Sequence, residues 1–164
     1  MNTTMNTNMN MNTIMNMYID AVAANAWCVA RGITSFAEID ADDQDKLLLR
    51  ASEWIDARFR FRGTKQDTNQ VRAWPRRHVV DEAGETITGI PQAVIQVTIE
   101  LAILLAEDEE AAEQALGISP AIVQQKAGGV EVRFADRQGE THTRLYRLLQ
   151  PYLYNPRQMR VERG

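Results

Sequence analysis

The chain has 164 residues, 45% of them hydrophobic, and a formal net charge of −4. That length sustains one domain with a real core, and the acidic total excludes a protein whose duplex binding rests on overall positive charge. Its single cysteine, Cys28, excludes an intrachain disulfide framework. No apolar run reaches the roughly 18 residues that span a bilayer, and the start lacks the basic and apolar segments of a signal peptide. A cytoplasmic protein, or one assembled into something made there, is expected, with no membrane partner.

Residues 1–17 hold six of the seven methionines, interleaved with Asn and Thr. They read as a low-complexity tail that does not fold alone. The domain proper is expected over 18–154, followed by a basic tail over 155–164. A first helix is predicted for 18–31, with Asp20 as its cap, Gly32 as its end, and Cys28 as a buried apolar residue. Phe36 and Ile39 then mark a packed linking turn.

The organising stretch is 44–80. Leu48, Ala51, Ile55 and Phe59 recur at helical spacing, and Leu47 and Trp54 widen that face. The spacing predicts a helix from 43 to about 60, capped by Asp42 or Asp43. Asp45 falls early, where the dipole favours an anion, and Gly63 stops the helix. Residues 63–72 read as a polar loop. Pro75 then forces Trp74 into an extended conformation and leaves the isomer of the Trp74–Pro75 bond open. Between Arg58 and His78 there are seven Arg or Lys residues and one acid, Asp67.

Asp81–Gly84 read as a turn between extended pieces at 77–80 and 85–88. Pro91 opens a helix whose apolar residues, Val94 to Leu105, nearly encircle it, as in a central core helix. Glu100 lies on that surface, expected either to pair with an arginine of the basic loop or to face an interface edge. The acids from Glu107 to Glu113 are a second complement to the loop. Residues 114–128 read as a polar excursion. Alternation over 129–135 predicts a strand, with 141–144 as its returning partner. Leu145, Leu148, Leu149 and Tyr152 give a last short helix interrupted near Pro151. The fold class is therefore mainly α, a small helical bundle with a minor β-hairpin and extended termini.

No catalytic constellation emerges. His78 and His142 are isolated, and no Cys–His metal spacing, phosphate loop or nucleophile elbow is present. The chain is expected to be no enzyme, with no cofactor and no metal; Asp81 and Glu82 beside His78 read as a solvated turn rather than an ion site. The basic loop has three readings: a solvated face, salt bridges to a neighbouring chain, or contacts with a phosphate backbone. Arg58, Arg60, Arg62, Lys65, Arg72, Arg76 and Arg77 are the candidates, with Trp74 and Tyr152 beside them. Trp74 reads first as a packing anchor and second as a base-stacking ring.

Several runs carry a resemblance: Leu48 to Asp56, Arg58-Phe59-Arg60-Phe61-Arg62-Gly63, Ala73-Trp74-Pro75-Arg76, the Ile90-Pro91 helix start, Gly129 to Val132, and Leu148 to Leu153. Over about residues 18–154 the chain resembles phage proteins labelled DnaT-like single-stranded-DNA-binding, and more distantly the head-tail connectors (adaptors) of tailed phages. The connector resemblance implies a virion protein at the head-tail interface, assembled in the host cytoplasm. It would form a ring, commonly twelvefold, beneath the portal and extend the DNA channel. Its partners would be the portal protein, neighbouring copies of itself, a downstream neck or tail protein and, weakly, packaged DNA. The resemblance assigns no role to residues 1–17; a separate expectation is that they or the residues from Asn155 onward latch onto the portal or an adjacent adaptor. The connector reading is the first expectation. The second is a single-stranded-DNA-binding protein of phage replication or recombination. It is placed second because the acidic total and the few exposed-looking aromatics do not suggest a stacking platform.

Overall fold

A computed structural model of the chain describes residues 16–108, 112 and 144–154. Among them are four helices and one two-stranded antiparallel sheet. In chain order these are α1 (Ala21–Val29), α2 (Ala41–Arg58), β1 (Thr64–Lys65), β2 (Arg76–Arg77), α3 (Gln92–Glu107) and α4 (residues 144–149). The last runs into a 3-10 turn over Gln150–Tyr152.

α1 begins where Asp20 accepts the Ala23 N–H at 2.8 Å. It ends at Gly32, whose φ of +67° suits glycine. There the Gly32 N–H donates to the Val29 carbonyl at 3.1 Å and the Ile33 N–H to the Cys28 carbonyl at 3.0 Å. These paired bonds satisfy carbonyls the helix leaves open. Ala24 and Cys28 face the core, and burial pushes the Cys28 thiol up.

α2 starts earlier than Asp42. Asp40 is the cap and accepts the Asp42 N–H at 2.9 Å, so Asp42 and Asp43 fall within the first turn, where the dipole favours anions. Asp45 does more than sit near that dipole, for it accepts the Ala21 N–H at 3.0 Å. The helix stops at Arg58 rather than Gly63. Phe59 is already extended, because residues 60–62 pair with the 152–154 segment.

The core lies between α2 and α3. Leu48, Ala51 and Ile55 are buried with Val94, Val97, Leu101, Ala102 and Leu105, and Phe36, Leu145 and Leu149 close the cluster. Burying one such large aliphatic side chain stabilises by about 1.5–3 kcal/mol. Exposed ion pairs such as Lys46–Asp43 are screened by solvent, so apolar contact holds the bundle. Buried polar groups are satisfied locally. Gln44 donates to the Phe36 and Ile39 carbonyls at 3.2 and 3.0 Å and accepts from Asn25 at 2.8 Å. Ser52 donates to Leu48 O at 2.8 Å and accepts the Tyr18 N–H at 3.1 Å. Met17, the last residue of the low-complexity run, is buried.

The hairpin differs from expectation in place. The predicted strand at 129–135 and most of its partner lie outside the described residues, and Arg144 opens α4 instead of ending a strand. The described sheet arises within the expected loop: Thr64 pairs with Arg77 and Lys65 with Arg76. Gly63 makes this register, with φ +69° and a Cβ position that would fall 2.7 Å from Val79 Cγ2. Its hydrogen-bonding partner strand follows Trp74–Pro75, a cis peptide.

The 77–88 turn forms as predicted, with Val80 bridging Thr86. Asp81 accepts the N–H groups of Ala83 and Glu85, both at 2.9 Å, so its carboxylate serves the turn. Among the described residues there is no metal-ligating cluster. Pro91 is the N-cap of α3 rather than part of its first turn. Glu100 does not reach the basic loop; it accepts from Arg144 of α4 and from Gln96.

A candidate nucleic-acid interface around the basic loop

The Trp-Pro elbow is built on Asp56. From the last turns of α2 its carboxylate accepts the Tyr18 hydroxyl and, at 3.0 Å, the Ala73 N–H. Arg72 faces it at 3.5 Å and Glu53 at 3.7 Å. Desolvation raises the Asp56 carboxyl above its ordinary range, opposed by the hydrogen bonds from Tyr18 and Ala73 and the charge of Arg72. Desolvation, with the Asp56 charge, also keeps the Tyr18 phenol protonated far above its usual range.

Three of the seven cations are engaged inside this frame. Arg76 donates to the carbonyls of Arg62 (2.6 Å), Gly63 (2.7 Å), Ala73 (3.0 Å) and Phe61 (3.3 Å). It thus ties β1's approach to the elbow. Burial lowers its pKa, but a guanidinium remains a cation. Arg62 donates to the carbonyls of Val80 (3.2 Å) and Pro151, and Arg72 faces the two acids. Trp74 is 2% exposed and packs edge-on against Phe61 and Tyr152, at ring separations of 5.6 and 6.0 Å. It is a packing anchor, and its buried ring is closed to a base. Tyr152 is half-buried against it.

The remaining four cations differ in exposure. Arg60, Lys65 and Arg77 are exposed, and Arg58 is half-buried. Lys65 reaches the Gln70 carbonyl at 3.2 Å. Among the described residues nothing engages the Arg60 or Arg77 side chains. Two rings that composition did not single out are also exposed. Tyr154 is 46% and Tyr146 42% exposed. The Tyr154 N–H donates to the Arg60 carbonyl at 2.7 Å, and the Tyr146 ring lies 6.4 Å from Phe59. The sequence signal was available in the alternation of Phe59 to Phe61, which puts the two rings inward and Arg60 outward once this run is extended rather than helical.

Residues 5–164 match the model of a family described as "Putative DnaT-like ssDNA binding protein". The chain belongs to this family. No curated protein and no solved structure matches it. The match overturns the first expectation from sequence: the chain falls in a family described by single-stranded-DNA binding, not among head-tail connectors, and the virion location implied by the connector resemblance falls with it. Overall acidity misled, because charge was averaged over the chain while the exposed cations Arg60, Lys65 and Arg77 fall within one short stretch of it. The family's description is that of a binding protein rather than an enzyme.

Proposed function

We propose that the protein binds single-stranded DNA in phage replication or recombination, inside the cell where such strands are exposed. Arg60 and Arg77 make the primary phosphate contacts, and Lys65 and Arg58 extend the track. The observation that carries this reading is the division of labour within the loop. Arg62, Arg72 and Arg76 are engaged with the protein's own carbonyls and carboxylates, whereas Arg60 and Arg77 are exposed without an internal partner among the described residues. Family membership supports the same choice. The guanidinium fork suits phosphate, and each neutralised phosphate releases bound counterion.

The test is a titration of labelled oligo(dT) by fluorescence anisotropy across a series of salt concentrations. Log affinity falls linearly with log salt. Arg60→Ala and Arg77→Ala each reduce the slope by about 0.7, the increment for one lost single-strand phosphate contact. Unchanged slopes in both variants contradict the assignment.

A further inference from the structure

We infer that Thr64, Arg77 and His78 form one nucleotide-binding site, in which Thr64 and Arg77 hold a phosphate and the His78 ring stacks on an adjoining base. This inference rests on the single-stranded-DNA reading above and names how that site holds its ligand.

The placement comes from the hairpin register. Thr64 and Arg77 are direct partners across β1 and β2, so their side chains share one face, with Cβ atoms about 5 Å apart. Both residues are exposed, and among the described residues nothing engages either side chain. The other pair, Lys65 with Arg76, lies on the opposite face, where Arg76 is turned onto four carbonyls.

His78 widens the Thr64–Arg77 face. In a regular extended chain successive side chains alternate, and His78 would follow Arg76 inward. Its φ is instead +61°, a left-handed conformation that glycine adopts freely and that a Cβ opposes. It is the one non-glycine residue at positive φ among the described residues. Arg77 and His78 are therefore exposed side by side, between the engaged Arg76 and the buried Val79. The far flank is fixed as well, since the Val79 carbonyl accepts the Ile87 N–H at 2.9 Å. The nearest acid in the chain, Asp81, is occupied by the N–H groups of Ala83 and Glu85. Among the described residues nothing engages the His78 ring. A side chain held out in a disfavoured backbone conformation, with its ring unused, is a mark of a binding site.

The three groups match the two parts of a nucleotide. The Thr64 hydroxyl and the Arg77 guanidinium both donate to phosphate oxygens, and an imidazole is a flat ring on which an unpaired base stacks. Neighbouring Cα atoms lie about 3.8 Å apart, so ring and guanidinium leave the chain next to one another. A duplex hides the faces of its bases, so the site discriminates strand state. Every base has such a face, so the site does not discriminate sequence.

The experiment titrates the full chain against two labelled probes, oligo(dT) and an abasic strand of the same length, by fluorescence anisotropy. His78→Gly removes the ring at a position whose backbone suits glycine, and a thermal melt verifies that the fold is kept. It is expected to weaken oligo(dT) binding about five- to a hundred-fold, the range for one stacked base, and to leave the abasic strand unaffected. Thr64→Val keeps the β-branched shape and is expected to weaken both probes about three- to ten-fold at an unchanged salt slope. Wild-type affinity for oligo(dT) in His78→Gly, or an equal loss on both probes, overturns the stacked base. Wild-type affinity in Thr64→Val overturns the shared phosphate. Either result with the Arg77→Ala slope still reduced leaves the phosphate reading standing. No binding of either probe by the wild-type chain overturns both.

Discussion

The Tyr18 hydroxyl donates to Asp56 from 38 residues away in the chain. The same carboxylate takes the Ala73 N–H at 3.0 Å and lies 3.5 Å from Arg72. One side chain thus joins the segment before α1, the end of α2 and the Trp-Pro elbow. Asp56→Ala strands a buried hydroxyl and a backbone N–H and leaves Arg72 without its nearest acid. A loss of about 2–4 kcal/mol is expected, read as a lower denaturant midpoint.

The pair also sets a pH dependence. The folded-state pKa of Tyr18 is raised above its unfolded value. Its contribution is therefore fully present below the ordinary tyrosine value of about 10 and is lost as pH rises beyond it. The raised Asp56 carboxyl acts in the same sense at lower pH: its contribution is largest below the ordinary carboxylate value of about 4 and falls as pH rises through the raised one. Thermal melts between pH 9 and 11 are expected to show a falling midpoint for the wild type and a shallower fall for Tyr18→Phe.

Gly63 sits where only glycine fits. Its φ is +69°, and a methyl group there would press on the Arg77 carbonyl and on Val79. Gly63→Ala is expected to cost about 2–4 kcal/mol, combining a left-handed backbone penalty with overpacking. The β1–β2 amides should then lose protection from hydrogen exchange. Wild-type stability and protection would show that the hairpin does not depend on this turn.

Arg76 and Arg77 are neighbours with different work. Arg76→Ala removes the donor to four carbonyls and is expected to destabilise by about 2–3 kcal/mol. Arg77→Ala should leave the melting temperature within about 2 °C, as an exposed substitution does, yet weaken DNA binding. Parallel melts and anisotropy titrations separate the two.

Trp74 is expected to behave as packing. Trp74→Ala opens a cavity worth about 3–5 kcal/mol. The Trp74 indole N–H has no hydrogen-bond partner among the described residues, so Trp74→Phe forfeits volume and no polar contact, and retains DNA binding. A selective loss of binding in a stably folded Trp74→Phe would contradict this.

Much of the fold could be read from spacing. The Leu48-Ala51-Ile55 face, the Asp20 cap, the Gly32 stop and the Val94–Leu105 core helix are periodic or capping signals, and periodicity records burial directly. The end of α2 could not be read this way. Phe59 continues the helical spacing, but pairing of 60–62 with a segment some ninety residues later outweighs local propensity. That same long-range pairing decides which cations of the basic loop face outward. Arg60 and Arg76 look alike in sequence; only the fold shows that one meets four carbonyls and the other faces water. The exposure of Tyr146 and Tyr154 was hidden for a similar reason, because Tyr146 lies within and Tyr154 just beyond a short segment whose leucines read as core.

The most direct test of the account compares oligo(dT) with a duplex of equal length in one competition titration of the wild-type chain at moderate salt. The account predicts that the single strand displaces bound probe at a concentration at least ten-fold below the duplex, and that both become less effective as salt rises. Equal competition by duplex, or no binding to either at low salt, would contradict it.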